Sequence, residues 1–294
     1  RKKLLVFGLL ALLIASLHFL WQYAVTGDPM LNPYTLWWEY DTIGFGPGHG
    51  RTESGHTLRQ AYINTRHSLK VGVWDFFGWG PLTWGLLALG ALFALRRAWQ
   101  GDGRPLLLAA VFPSLIGVYL AYWIGSSLFG PRYFFEGLYS LTLLTALAFA
   151  GLAGWPTRPN EPWHSYSGWR NKVRPLAVTA VLALLVASTT LYYVPYRLNT
   201  MYALYGIRRA DIEPFTSAAA AEKTPALVFV YPTHWTDYGA LRELQDPFLD
   251  APYLFVWSRG PRADAAITAL FPQRHVYHYY PDEPYALYTR PRPR

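Results

Sequence analysis

Two short stretches of the sequence collect side chains suited to chemistry. GPRYFFE, residues 130–136, sets Arg132 beside Tyr133 and four residues ahead of Glu136. A guanidinium is planar and meets a phosphate with paired donors, so Arg132 reads as an anion anchor. A plain Arg132–Glu136 ion pair holding the first turn of a helix accounts for the same spacing. The second stretch, GFGPGHGRTESGHTLRQA at 44–61, holds His49, Glu53 and His56. Imidazole and carboxylate together suit a divalent metal, although this spacing matches no established ligand pattern. A divalent metal is therefore an admissible cofactor and not a required one. Asp28, Glu39 and Asp41 supply further carboxylates upstream. Glu39 and Asp41 are two residues apart, so they point to opposite faces of a strand and do not converge on a helix, which makes them a weak acid–base pair. No strand is followed by a nucleophile elbow, a P-loop or GxGxxG, and zero cysteines exclude disulfides, thiolate metal sites and a cysteine nucleophile.

The elements that must position these groups belong to a membrane protein. Of the 294 residues 52% are hydrophobic and 17% aromatic, with 13 tryptophans. Mean hydropathy is only +0.09, so the apolar residues are gathered in blocks and diluted elsewhere. Five blocks, 4–25, 79–95, 105–124, 133–152 and 175–194, come near the length of about 20 residues that a helix needs to cross a bilayer. Basic residues gather before the first (Arg1, Lys2, Lys3), between the second and third (Arg96, Arg97, Arg104), and between the fourth and fifth (Arg158, Arg170, Lys172, Arg174). Short cytoplasmic connections accumulate Lys and Arg. Alternating helices then put the amino terminus in the cytoplasm, with the 26–78 loop, the GPRY turn and everything after the fifth span outward. Much of the net charge of +8 is thereby a topology signal, and nucleic-acid binding loses its support. The chain starts with Arg and not Met, and RKK ahead of an apolar run is not what signal-peptide cleavage leaves, so a longer polypeptide is expected.

Within the outward loop the pattern turns helical after Thr57. Leu58, Ala61, Tyr62, Thr65, Leu69 and Val73 recur at three and four, with Ser54 or Thr57 as the cap. His56, Gln60 and Asn64 fall near another face, which either engages a sugar or phosphate above a membrane cavity or is simply solvated. The glycines at 44, 46, 48 and 50 predict an irregular, mobile cover. Beyond residue 195 an amphipathic linker (196–225) leads to a small α/β domain (226–294). ALVFVY, YLFVWSR, HVYHYY and PYALYTR read as strands, the last two as a hairpin across PDEP. YGALREL and PRADAAITALF read as helices between strands, which favours a partly parallel sheet. The terminal PRPR is expected to be disordered. The predicted fold is thus an α-helical membrane region of about five spans (1–195) followed by a small extracytoplasmic α/β domain.

Several spans with an outward TGDP and PY loop, a GPRY turn opening a helix, and a small α/β domain after the last span resemble the carboxy-terminal half of the GT-C membrane glycosyltransferases. The branch related to protein O-mannosyltransferases and aminoarabinose transferases is the most similar. The resemblance implies a polyprenyl-phosphate-linked sugar as donor, membrane lipid as surroundings, and transfer to an acceptor on the outward face. It puts Arg132 and Tyr133 near the lipid phosphate, and the loop carrying Glu39, Asp41, His49 and His56, with Asn64 following, over the substrate cavity. The catalytic carboxylates of that superfamily lie in an early outward loop, and this sequence has no acidic pair in a corresponding place, so they are expected upstream of residue 1. Two other readings of the sequence are a non-catalytic membrane protein whose outward domain binds a partner or a glycan, and a transporter subunit. The latter calls for charged or helix-breaking residues midway along several spans, where only Pro113 and a few glycines occur.

Overall fold

The computed structural model describes residues 2–126, 129–156 and 169–293, and the chain divides after Arg197 into two units. Arg158 of the third basic group lies outside the described residues.

The first unit is helical. Its elements are α1 (Lys2–Thr26), α2 (Leu58–Asp75), α3 (Pro81–Trp99), α4 (Arg104–Tyr119), α5 (Leu138–Ala153) and α6 (Trp169–Ser188). A π-turn at Thr189–Tyr193 continues α6 into α7 (Val194–Met201). Three helical stretches among the described residues are long and apolar enough to cross a membrane: Leu5–Thr26, Arg132–Ala153 and Val173–Met201. The other two expected spans form α3, whose last turn carries Arg96 and Arg97, and α4, a shorter apolar helix. The α4 helix stops at Tyr119, before the expected limit at 124, because the main chain beyond it turns to pair with the glycine loop: the Gly44 amide donates to the Ala121 carbonyl at 2.9 Å.

Residues of α3, α4 and α5 share one apolar core with Phe76, in which Leu87, Ala94, Phe112, Phe134, Leu141 and Leu144 are buried. The α3–α5 crossing is close because Gly90 has no side chain. A Cβ there would come within 2.1 Å of the Leu144 carbonyl oxygen, the small-residue contact by which membrane helices approach. Arg174 donates to the carbonyls of Leu152 and Gly151, closing the end of α5. The π-turn sits where the Trp79 indole enters the last helix, donating to Thr189 Oγ1 at 2.9 Å and to the Leu185 carbonyl at 3.2 Å. A wedged donor of this kind is a recognised cause of a local break in the helical ladder.

The second unit is a four-stranded mixed sheet of order β2-β1-β3-β4, with β1 Ala226–Val230, β2 Tyr253–Trp257, β3 His275–Tyr279 and β4 Leu287–Tyr288. β1 lies parallel to β2 and β3, and β4 closes antiparallel to β3 with Tyr288 opposite His278. All five residues of β1 are buried, as an apolar central strand of a parallel set requires. One face of the sheet is covered by Phe215, Ala220 and Leu241, the first two from the short helices α8 (Glu213–Thr216) and α9 (Ala218–Ala221). The second half of the expected linker is therefore part of this core. The other face is covered by Ile267 and Phe271 of and just after α10 (Pro261–Leu270). YGALREL forms 3-10 turns (Trp235–Tyr238, Ala240–Leu244) and not one α-helix.

Candidate functional site

The loop from 26 to 57 is built from local caps and then pinned by distant partners. Asp28 accepts from the Met30 amide at 2.8 Å and so completes the TGDP turn. Asn32 caps a 3-10 turn at Pro33–Leu36. Glu39 is exposed. Asp41 is buried, 8% accessible, and accepts from the Trp123 indole at 2.6 Å. The glycine stretch is ordered: Ile43 bridges to Tyr122, Gly46 to His56, and the Gly50 amide donates to the Tyr40 carbonyl at 2.7 Å. The expectation of a mobile cover is corrected here. Gly55, at φ 64°, lies so close to the main chain of Gly46 that a Cβ would come within 1.6 Å of its carbonyl oxygen, and Gly44, at φ 148°, lies against the His49 ring. Glycine serves close approach and left-handed backbone at these positions, not freedom of movement.

The metal set is not assembled. His49 Nδ1 hydrogen-bonds Thr42 Oγ1 at 2.7 Å, Glu53 is exposed, and His56 is 2% accessible, stacked on Phe45 with centroids 5.0 Å apart. His56 Nε2 meets the Leu120 carbonyl at 2.9 Å. Among the described residues no three His, Cys, Asp or Glu side chains converge on one point. Both histidines are spent on fastening the loop, His49 within it and His56 to Leu120 at the end of α4.

Helix α2 begins where its cap predicts, with Thr57 accepting from the Gln60 amide at 3.2 Å. Its polar face docks on the 120–126 segment. Asn64 donates to the Trp123 carbonyl at 2.7 Å and accepts from Gln60 at 2.8 Å, and Ser68 accepts from the Ser126 amide at 2.9 Å.

Arg132 opens a 3-10 stretch, Arg132–Gly137, that leads into α5. At three residues per turn, position i+4 is rotated about 120° away from position i, so the spacing that pairs Arg132 with Glu136 on an α-helix does not hold here. Arg132 donates to the Tyr133 hydroxyl at 3.1 Å, and its guanidinium lies 5.0 Å above the Tyr133 ring and 5.7 Å from that of Phe129. Glu136 faces the Tyr119 hydroxyl. Tyr133 stacks on Tyr119 at 5.1 Å and meets Tyr122 edge-on at 5.4 Å; Tyr122 in turn meets Trp123, which meets Tyr40 at 5.5 Å. The Tyr122 hydroxyl is directed at Asp41 and at the Tyr133 hydroxyl. Asp41, Asn64, Tyr133 and Arg132 are thus joined through one row of rings, while Asp28, Glu39 and Glu53 stand outside it.

Two residues that sequence reasoning passed over belong beside this row. Arg51 donates to the Tyr40 hydroxyl at 3.0 Å and lies 5.5 Å from the Trp123 ring, so a second exposed guanidinium flanks the rings at the end opposite Arg132. Only its place in a polar stretch among aromatic neighbours hinted at this. Asp75, the last residue of α2, accepts from the Tyr193 hydroxyl and pairs with Arg197 at 2.9 Å. An acid set between Trp74 and Phe76 at the edge of an apolar block was the available signal, since ionisable groups there need partners. Beside the row, Phe45, Leu58, Tyr62, Leu69, Leu120 and Arg66 line an open cavity of about 620 Å³. Its walls are apolar, with one cation.

The arrangement can meet an anion at the Arg132 guanidinium, present aromatic edges to a sugar, and shelter an alkyl chain beside them. No protein-family model matches the chain, and neither a curated protein nor a solved structure does.

Proposed function

We propose that this chain is the carboxy-terminal membrane half of a GT-C-type glycosyltransferase, which moves a sugar from a polyprenyl-phosphate donor to an acceptor on the outward face. In this reading α1, α3, α4, the 132–153 helix and the 173–201 helix are five spans of a multi-pass protein. The basic residues at the start of α1, at the end of α3 with the start of α4, and at the start of α6 face the cytoplasm. The sheet unit is extracytoplasmic.

The observation that carries the reading is Arg132, an exposed guanidinium held over the Tyr133 ring at the start of a helix apolar enough to cross a membrane. A cation at that depth suits a lipid phosphate, and the apolar cavity beside the ring row suits part of an isoprenoid chain. The acceptor oxygen attacks the anomeric carbon, the bond from that carbon to the phosphate oxygen breaks, and the acceptor proton passes to a carboxylate carried outside this chain. Charge accumulates on the departing phosphate. Arg132 stabilises it most when it is fully developed.

The test is turnover of a polyprenyl-phosphate sugar by the full-length enzyme. Arg132→Ala should lower kcat by about two to three orders of magnitude, the usual cost of removing one preorganised charge-stabilising donor. Arg132→Lys keeps the charge, loses the fork and should weaken donor binding with a smaller loss of rate. If both variants express poorly and the folded remainder turns over normally, Arg132 is a structural residue and the phosphate assignment falls.

A further inference from the structure

The second unit carries a crevice that the transferase reading does not use. It encloses about 1,090 Å³ on the α10 face of the sheet. Its walls include Tyr231, Ser258 and Tyr280, each just past the carboxyl end of a parallel strand. In a 2-1-3 order the crevice outside the strand ends is where open α/β sheets take their ligands. α10 packs on this face in one cluster with residues of β1, β2 and β3, and residues 291–293 also line the crevice. The expected disorder of the tail is corrected for Arg292: its amide donates to the Tyr280 hydroxyl at 2.9 Å, and its guanidinium lies 4.0 Å over that ring and pairs with Asp282 at 2.8 Å.

The polar groups of the walls show what the crevice suits. Asp264 is 8% accessible and already hydrogen-bonded locally, accepting from the Ser258 hydroxyl at 2.6 Å and from the Arg259 amide at 3.2 Å at the start of α10. That carboxylate occupies the place where the helix would otherwise attract an anion. Arg292 is answered by Asp282 and Glu283. With Arg292 ion-paired and both Asp264 oxygens already hydrogen-bonded, neither a phosphate nor a cation finds a strong unmatched partner in these two residues. His278, also 8% accessible, bonds the Tyr231 hydroxyl through Nδ1 at 2.9 Å, and its ring lies in the wall of the crevice. Arg259 stands exposed at the rim. The walls therefore offer donors and acceptors together with aromatic surface, the combination that sugar hydroxyls and the C–H faces of a pyranose require.

We propose that this crevice binds a neutral saccharide, with His278, Arg259 and Ser258 contacting its hydroxyls and Tyr231 and Tyr280 forming the aromatic wall. The proposal stands on the second unit alone and does not depend on the transferase reading.

The experiment uses the full chain in phospholipid nanodiscs, free of glycoside detergent, probed by saturation-transfer difference NMR. The probes are methyl α-mannopyranoside, methyl α-glucopyranoside and maltotetraose, with inorganic phosphate as a separate arm. Saturable transfer to at least one glycoside is expected, weakened about tenfold in Arg259→Met and in His278→Phe, as for one lost hydrogen bond in a desolvated site. His278→Phe keeps a flat ring against Phe229, and Arg259 is exposed, so Arg259→Met reads the site even if the first variant folds poorly. No transfer to any glycoside overturns the proposal. Glycoside binding that survives both variants belongs elsewhere in the chain and overturns it too, and phosphate binding without glycoside binding replaces it with an anion site.

Discussion

Leucine and valine fill both α1 and β1, and the two elements treat them in opposite ways. Leu9 and Leu12 of α1 are 61% and 73% accessible, whereas Leu227 and Val228 of β1 are fully buried. A strand in water must hide such side chains inside its own domain, because each fully buried one contributes about 1.5–3 kcal/mol. A helix of mean hydropathy 2.0 with nearly all of its apolar side chains exposed has found no such shelter within its unit. A bilayer would supply it, and the same side chains would then stabilise by facing outward. α1 is thus fitted to apolar surroundings, whereas β1 is organised by the core of its own unit.

The strongest way to break this comparison is to put one carboxylate in each element. Val228→Asp should unfold the sheet unit, since an unpaired charge in that core costs several kcal/mol; limited proteolysis would show loss of a protected 198–294 fragment. Leu12→Asp should leave that fragment protected and instead impede membrane insertion by about 2.5–3.5 kcal/mol, read as the inserted fraction in a translocation assay. Equal proteolytic damage from both would mean that α1 packs as a globular core helix does.

A smaller effect sharpens the boundary inside the first unit. The 43–56 loop is held by hydrogen bonds and close contacts as a domain in water is, so it should respond to packing and not to lipid. Gly55→Ala meets the Gly46 carbonyl and a φ of 64°, and should lower stability by about 1–3 kcal/mol. Gly103→Ala, with open space and ordinary φ, is the control and should change little. Thermal unfolding in nanodiscs separates the two; equal melting would show the loop to be loosely held after all.

The smallest expected effect belongs to the sheet unit. Burial holds the His278 imidazole below its ordinary value of 6.5, partly opposed by the nearby Asp264 carboxylate. The unfolded chain therefore binds more protons than the folded one below that value. Stability is fully present above about pH 6.5 and is lost as pH falls toward the folded value. Calorimetry between about pH 7.5 and 5 should show the unit melting progressively lower, and His278→Phe should flatten that slope. A slope that survives the substitution would assign it to another group.

What could be read without coordinates was the part governed by neighbours along the chain. Alternation and apolar runs located β1, β2, β3 and α10 to within a few residues, and Thr57 marked the start of α2 because a cap acts on an amide three positions away. The end of α4 was misplaced by several residues, since Tyr122 and Trp123 are apolar enough to continue a span and only their pairing with the loop turns them aside. The 3-10 geometry at Arg132 was also hidden, because helix type depends on how Phe134 settles into the core between helices.

By itself the sequence determined the two kinds of region, the apolar helices and the strand segments, because hydropathy and periodicity act within one turn or one strand. It also singled out Arg132 and Tyr133 as candidates, since GPRY is a local motif. Only the tertiary structure decided that Asp41 serves Trp123, that His56 fastens to Leu120, that Asn64 holds the Trp123 carbonyl and that Asp75 binds Tyr193. Those partners lie 59 to 118 residues apart. Contacts at such separation depend on which faces the helices bury against one another, and no pattern along the chain records that choice.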